Sequence, residues 1–256
     1  DRIDYGNDTA TASPKGPLTV ARESIMATGN ASFGYFGGGG TPSFVSTVDR
    51  IEYSNDTTAA STKGPLSVAG GFGSATGNSS FGYFFDYYYG GIDRIDYSND
   101  TATASVRGTF TNFANFRYWT GATSRKEDGH PDTSNISPVA DNFGYFGGGA
   151  INGSGPRSTV DRIDYSNDTA AAAPKGPLSH PATQDLAATS SITFGYFGGG
   201  RFAAQSTVDR IDYTNDTATA SPKGPLTHTK TYLAATGNAS YGYFGGGSPG
   251  GSKVDR

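Results

Sequence analysis

The sequence predicts an all-β protein built from repeated antiparallel sheets, and two recurring segments and one absence carry that reading. Asp1-Arg2-Ile3-Asp4-Tyr5 returns as Asp49-Arg50-Ile51-Glu52-Tyr53 and from Asp93, Asp161 and Asp209, with its opening again at Asp255-Arg256. The spacings are 48, 44, 68, 48 and 46 residues. A second marker, Phe-Gly-Tyr-Phe, starts at Phe33, Phe81, Phe143 and Phe194, and the fifth copy is Tyr241-Gly242-Tyr243-Phe244. No window holds a helical period with caps. Self-similarity at this period indicates a propeller or a solenoid, whose units bury their faces only against their neighbours.

Each unit reads as two hairpins. From Glu23 to Thr28 a stretch of small residues ends at Gly29-Asn30, a two-residue hairpin signal, and Phe33 to Phe36 returns. After a glycine run, Ser46 to Ser54 alternates and is rich in β-formers. Asn55-Asp56 makes the next turn, and Thr57 to Thr62 continues until Lys63-Gly64-Pro65-Leu66 stops the strand. The unit is therefore a four-stranded meander. Aliphatic residues are sparse, but 16 Tyr and 16 Phe supply large apolar area, so the expected core is aromatic.

These residues resemble the kelch repeat, and the resemblance spans essentially the whole chain. Tyr35-Phe36-Gly37-Gly38, Val48 to Tyr53, Pro65-Leu66 and Ala21-Arg22 fit the family's pattern. The resemblance implies a β-propeller of four-stranded antiparallel blades over residues 1–256. One departure recurs: the outer-strand tryptophan is replaced by small residues such as Ala12, Ala60 and Ala220. The contact between blades must then come from elsewhere, for which the doubled aromatics of the second strand are the candidate. The chain opens inside a third strand and closes as another begins, so Asp1 to Leu18 is expected to complete the sheet begun by residues 231–247 and close a ring of five. Because the first residue is not methionine, membership of a longer chain stays open, and with it the alternative that Val254-Asp255-Arg256 opens a further blade.

Strand alternation puts the 1–2 and 3–4 turns on one face and the 2–3 and 4–1 connections on the other. The first face repeats, with Asn-Asp-Thr in all five units. The second varies, and its third 4–1 connection is a long insertion at about 108–142, which holds Phe113, Phe116, Tyr118 and the sole tryptophan, Trp119. Tyr87, Tyr88 and Tyr89 lie one connection earlier, and Arg157, Arg201 and Phe202 lie in further loops of this face. Long loops carrying exposed aromatics suit stacking on sugars or anchoring a partner, so these ten residues form the candidate binding surface; the other reading is that the rings of the insertion, Phe110 included, fold back to cover the end of the third blade.

Composition removes several functions. A net charge of −4 and a pI near 5.3 exclude a basic nucleic-acid binder, and no apolar run is long enough for a membrane-spanning helix. With no cysteine there is no thiolate nucleophile and no Cys-ligated metal. Copper oxidases on kelch-like propellers need a cysteine cross-linked to tyrosine, which this chain lacks. The histidines His130, His180 and His228 all fall in 4–1 connections. The last two stand where other units have Val20 and Val68, which favours packing over metal ligation. The Asp-Arg-Ile-Asp/Glu segments pair carboxylates, but equivalent sites share one environment, whereas a catalytic pair needs two. An Arg–Asp network tying strands or blades together is expected instead. Ten Asn-x-Ser/Thr matches, mostly in turns, read as turn formers.

No enzyme activity, cofactor or metal is expected. A repeat array with an acidic Thr/Ser/Gly-rich surface resembles propeller modules of phage virion and microbial surface proteins. That resemblance implies a recognition module of a virion appendage or cell-surface assembly, binding a surface glycan or protein and packed with other subunits. The alternative is a structural virion or filament subunit whose aromatic loops are buried against a neighbour.

Overall fold

The computed structural model describes residues 2, 13–86, 90–110, 117–118, 120–124, 142–151, 155–180, 183–201, 205–237, 241–248 and 254–256. They form a five-bladed β-propeller. Blade 1 comprises Met26–Gly29, Phe33–Gly37, Val48–Glu52 and Ser61–Lys63, antiparallel in that order outward from the axis. Blade 2 is Ser74–Gly77, Phe81–Phe85, Gly91–Asp96 and Ser105–Thr109. Blade 3 is Gly121–Ser124, Phe143–Gly147, Val160–Asp164 and Ala173–Lys175. Blade 4 is Ala187–Ser190, Phe194–Gly198, Val208–Asp212 and Ser221–Lys223. The described part of blade 5 has three strands, Thr231–Gly237, Gly242–Ser248 and Val254–Asp255. No helix among the described residues is long and apolar enough to cross a membrane.

The Phe-Gly-Tyr-Phe-Gly strand explains how blades pack. Period-two alternation sends its tyrosine toward the following blade and its second phenylalanine toward the preceding one. Tyr35, Tyr83 and Tyr145 are fully buried and stack on Tyr97, Tyr165 and Tyr213 of the next blade, with ring centroids 4.7, 4.7 and 5.0 Å apart. In the other direction, Phe84, Phe197 and Phe244 press on Gly37, Gly147 and Gly198. A Cβ at those glycines would lie 2.6 to 2.9 Å from the facing ring, so only glycine admits it. The doubled aromatics thus supply the contact between blades, and each buried ring contributes roughly 1.5–3 kcal/mol. Blade 2 carries Phe85 in place of this glycine, and there Phe85, Phe110 and Phe146 form an edge-on aromatic cluster.

A glycine doublet then ends the strand. Gly38, Gly148, Gly199 and Gly246 have φ of 66 to 73°, and the glycine after each is also positive, which turns the chain out of the sheet.

Arg2 bridges Ser13, and this N-terminal pair stands against blade 1 as the outer half of a preceding blade does. Gly16 donates its amide to Asp56 and Pro17 accepts from Ala60, as Gly64 donates to Asp100 and Pro65 accepts from Ala104 between blades 1 and 2. Beside Gly242–Ser248, the place expected for Asp1-Arg2 is taken over its described part by Val254–Asp255, with Arg256 above the Tyr241 ring. The junction of blades 5 and 1 is looser than the others. Ala234 and Thr236 are exposed where Ala187 and Thr189 of blade 4 are buried, and Phe36 is half-buried on the channel wall.

Candidate functional site

The repeated Asp-Arg-Ile segment and the Asn-Asp-Thr turn meet across blade boundaries. Arg50, Arg94 and Arg162 each donate to the turn carboxylate of the next blade, Asp100, Asp168 and Asp216, at 2.7 Å. The same three oxygens accept the hydroxyls of Tyr35, Tyr83 and Tyr145 at 2.9 to 3.0 Å. Burial and the neighbouring carboxylate push these phenols well above their ordinary range, so they remain donors. The aspartate that opens each segment points elsewhere. Asp49, Asp93, Asp209 and Asp255 accept the backbone amides of Thr19, Ser67, Ser179 and Thr227, residues leaving the preceding blade. Asp49 also pairs with Arg22 at 3.0 Å, both side chains fully buried. The first acid of each pair thus ties two blades, whereas the second, Asp96, Asp164 and Asp212, accepts the amides of Ser98, Ser166 and Thr214 within its own turn. Among the described residues no group of three or more acidic or imidazole side chains could hold a metal ion.

At the start of the innermost strands the repeats behave differently. Every innermost strand contains Ala-Thr, at Ala27-Thr28, Ala75-Thr76, Ala122-Thr123, Ala188-Thr189 and Ala235-Thr236, and all five strands border one central channel of about 280 Å³. Three residues before the alanine stand Ser24, Phe72, Asp185 and Tyr232, all with φ between 56 and 60°. This left-handed conformation costs a non-glycine residue about 1–2 kcal/mol, and strain of that kind concentrates at functional positions. Its local cause is a hydrogen-bonded link between blades. Phe72 donates its amide to the Ser24 carbonyl, and Tyr232 donates to Asp185. The channel mouth is thus lined by residues of unlike chemistry held in one backbone conformation.

A second cavity of about 250 Å³ opens there, bordered by Ile25, Phe72, Asp185, Leu186, Tyr232 and Leu233. Asp185 is 4% exposed and its carboxylate pairs with Arg201 at 2.9 Å. The other carboxylate oxygen, Oδ1, is buried without a hydrogen-bond partner, as is Thr183 Oγ1. Burial raises the Asp185 carboxyl above its usual range, opposed by Gln184 and Arg201. Arg201 lies 5.5 Å from the centre of the Tyr232 ring, and Tyr232 is half exposed.

Of the sequence-derived candidates, Arg201 falls in this cluster. Arg157 is a half-buried bridging residue whose amide donates to Gly149 and whose carbonyl accepts from Thr183. Tyr118 lies in the short strand Arg117–Tyr118, paired with Ala150–Ile151. Phe113, Phe116, Trp119, Tyr87, Tyr88, Tyr89 and Phe202 lie outside the described residues, as does His130. The packing expected for His228 is not found. It is exposed beside Thr227, as the equivalent Val20 is at 47%, whereas His180 and Val68 at the same position are half-buried, as a partly buried packing role expects. Phe72, Asp185 and Tyr232 escaped the sequence reading because it aligned units on Asp-Arg-Ile and Phe-Gly-Tyr-Phe. Aligned on Ala-Thr, they share one position, and counting back from Ala122 gives Trp119.

No protein-family model matches the chain, and no curated protein does. Among solved structures it is similar to one titled "Structure of YjhT", with a TM-score of 0.68 at 10% identity, covering 91% of this chain and 79% of that one. The likeness is one of fold.

Proposed function

We propose that this protein is a non-enzymatic recognition module with kelch-like blades, which binds a surface glycan or a protein partner through the channel mouth and the surrounding 2–3 and 4–1 loops. The observation that carries the reading is the ring position held by Ser24, Phe72, Asp185 and Tyr232. Among the described residues it has one strained backbone conformation and a different side chain in each of four blades, while the opposite face repeats its side chains. A position whose geometry is kept and whose chemistry is varied suits selection by a ligand. The module belongs, on this reading, to a virion appendage or a cell-surface assembly, packed with other subunits, with neither nucleic acid nor cofactor involved.

The test is retention of labelled protein by intact cells and by a broad glycan panel, with Phe72→Ala/Tyr232→Ala alongside. Retention that the double variant loses while its thermal unfolding is unchanged supports recognition through the mouth. Absence of retention by every cell and glycan, with both proteins folded, transfers the reading to a structural virion or filament subunit.

A further inference from the structure

The cavity beside Asp185 has features that a packing void does not explain. Its carboxylate is withdrawn from water, yet only one oxygen is answered by Arg201. An unmade hydrogen bond on a buried charged group is expensive, and a ligand hydroxyl would supply it. Tyr232 presents a half-exposed ring on the same cavity, and Phe72 borders it from another blade. The Asp185–Arg201 pair is neutral as a unit. A cation therefore gains little from the acid, and an anion meets a carboxylate.

From this arrangement we infer that the cavity holds one uncharged hydroxyl-bearing ring, a neutral sugar residue, with a hydroxyl donating to Asp185 Oδ1 and an apolar ring face on Tyr232. At about 250 Å³ the space lies below the ~300–1,000 Å³ usual for drug-sized ligands, which fits a single ring. The inference rests on the mouth being the recognition surface and names the ligand class at one part of it.

The experiment is saturation-transfer NMR of the folded protein with glucose, galactose, mannose and N-acetylglucosamine, and with glucuronic acid and glucosamine as charged counterparts. Tyr232→Ala and Asp185→Asn are measured beside the wild type, each checked by thermal unfolding. Tyr232 is exposed, so its truncation leaves the fold intact. In Asp185→Asn an amide kept with its oxygen toward Arg201 turns an NH2 to the place of Oδ1. Expected is transfer to at least one neutral sugar, weakened about tenfold or more by Tyr232→Ala and by Asp185→Asn. Binding unchanged in Tyr232→Ala overturns the site, and preference for the acid or the amine overturns the ligand class. If no monosaccharide binds while cells retain the wild type and not the Phe72→Ala/Tyr232→Ala variant, this inference falls and the recognition reading stands. Loss of both sinks both.

Discussion

The two faces of the propeller solve different problems with the same repeat. On the turn face, Asp100, Asp168 and Asp216 each collect an arginine and a tyrosine from the preceding blade, in three nearly superimposable sets. At the channel mouth, one backbone conformation presents Ser24, Phe72, Asp185 and Tyr232, which share no chemistry. Repetition of side chains marks what holds the ring together. Repetition of backbone with varied side chains marks what the ring displays.

The largest effect expected from breaking this contrast is on the turn face. Asp216→Ala strips the partner from Tyr145, Arg162 and Lys175 together, leaving a buried phenol and two cations unanswered. We expect a loss of about 3 kcal/mol, at the low end for a broken buried pair because both cations keep some contact with water. Urea unfolding measures it. Asp56→Ala, whose partners are Lys15 and the largely exposed Arg2, is expected to cost less. Equal losses would deny that burial gives the staples their strength.

Next is the notch between blades. A methyl at Gly198 would sit 2.6 Å from the Phe244 ring, so Gly198→Ala is expected to destabilise by about 1–3 kcal/mol. Gly246→Ala, with nothing described within 4 Å of the added carbon but φ of 73°, separates backbone strain from crowding in the same assay.

Alkaline pH sharpens the contrast further. Tyr35, Tyr83 and Tyr145 have their phenols raised by burial and by the adjoining carboxylates. The folded chain therefore holds protons that the unfolded chain releases near pH 10. Their contribution to stability is complete below about pH 10 and falls as pH rises toward the folded values. Ultraviolet titration should show these phenols ionising only as the chain unfolds.

The smallest effect concerns the mouth, where stability and display oppose each other. Tyr232→Gly removes a side chain from a left-handed residue and is expected to raise stability by about 1 kcal/mol, offset in part by backbone entropy, while abolishing retention on cells. Calorimetry and the retention assay together check it. A loss of stability would make Tyr232 a packing residue.

Much of the ring could be read from the sequence because its signals are local and repeated. Phe-Gly-Tyr-Phe, the glycine doublet and Asn-Asp each specify a strand, an exit or a turn within a few residues, and the spacing of 44 to 48 residues, stretched once to 68 by the insertion, gives the blades. The Arg–Asp network was legible as a kind of contact, though not that Asp100 would also take the Tyr35 hydroxyl, which depends on two blades meeting. The Asp185 site was legible only through Arg201. Asp185, Arg201 and Tyr232 are far apart in the chain and come from two blades, and nothing around Asp185 or Tyr232 announces a left-handed backbone. The aromatic loops that drew attention, Tyr87 to Tyr89 and Phe113 to Trp119, stood out by composition. The Asp185 pocket depends instead on one buried oxygen left unpaired by geometry.

The most direct test of the division between a holding face and a displaying face is amide chemical-shift mapping on the isotopically labelled protein during titration with a glycan retained in the panel. The account predicts that perturbations gather at Phe72, Asp185, Arg201, Tyr232 and their neighbours and leave Asn55, Asn99, Asn167 and Asn215 unmoved. Perturbations centred on those turns, with the mouth silent, would contradict it.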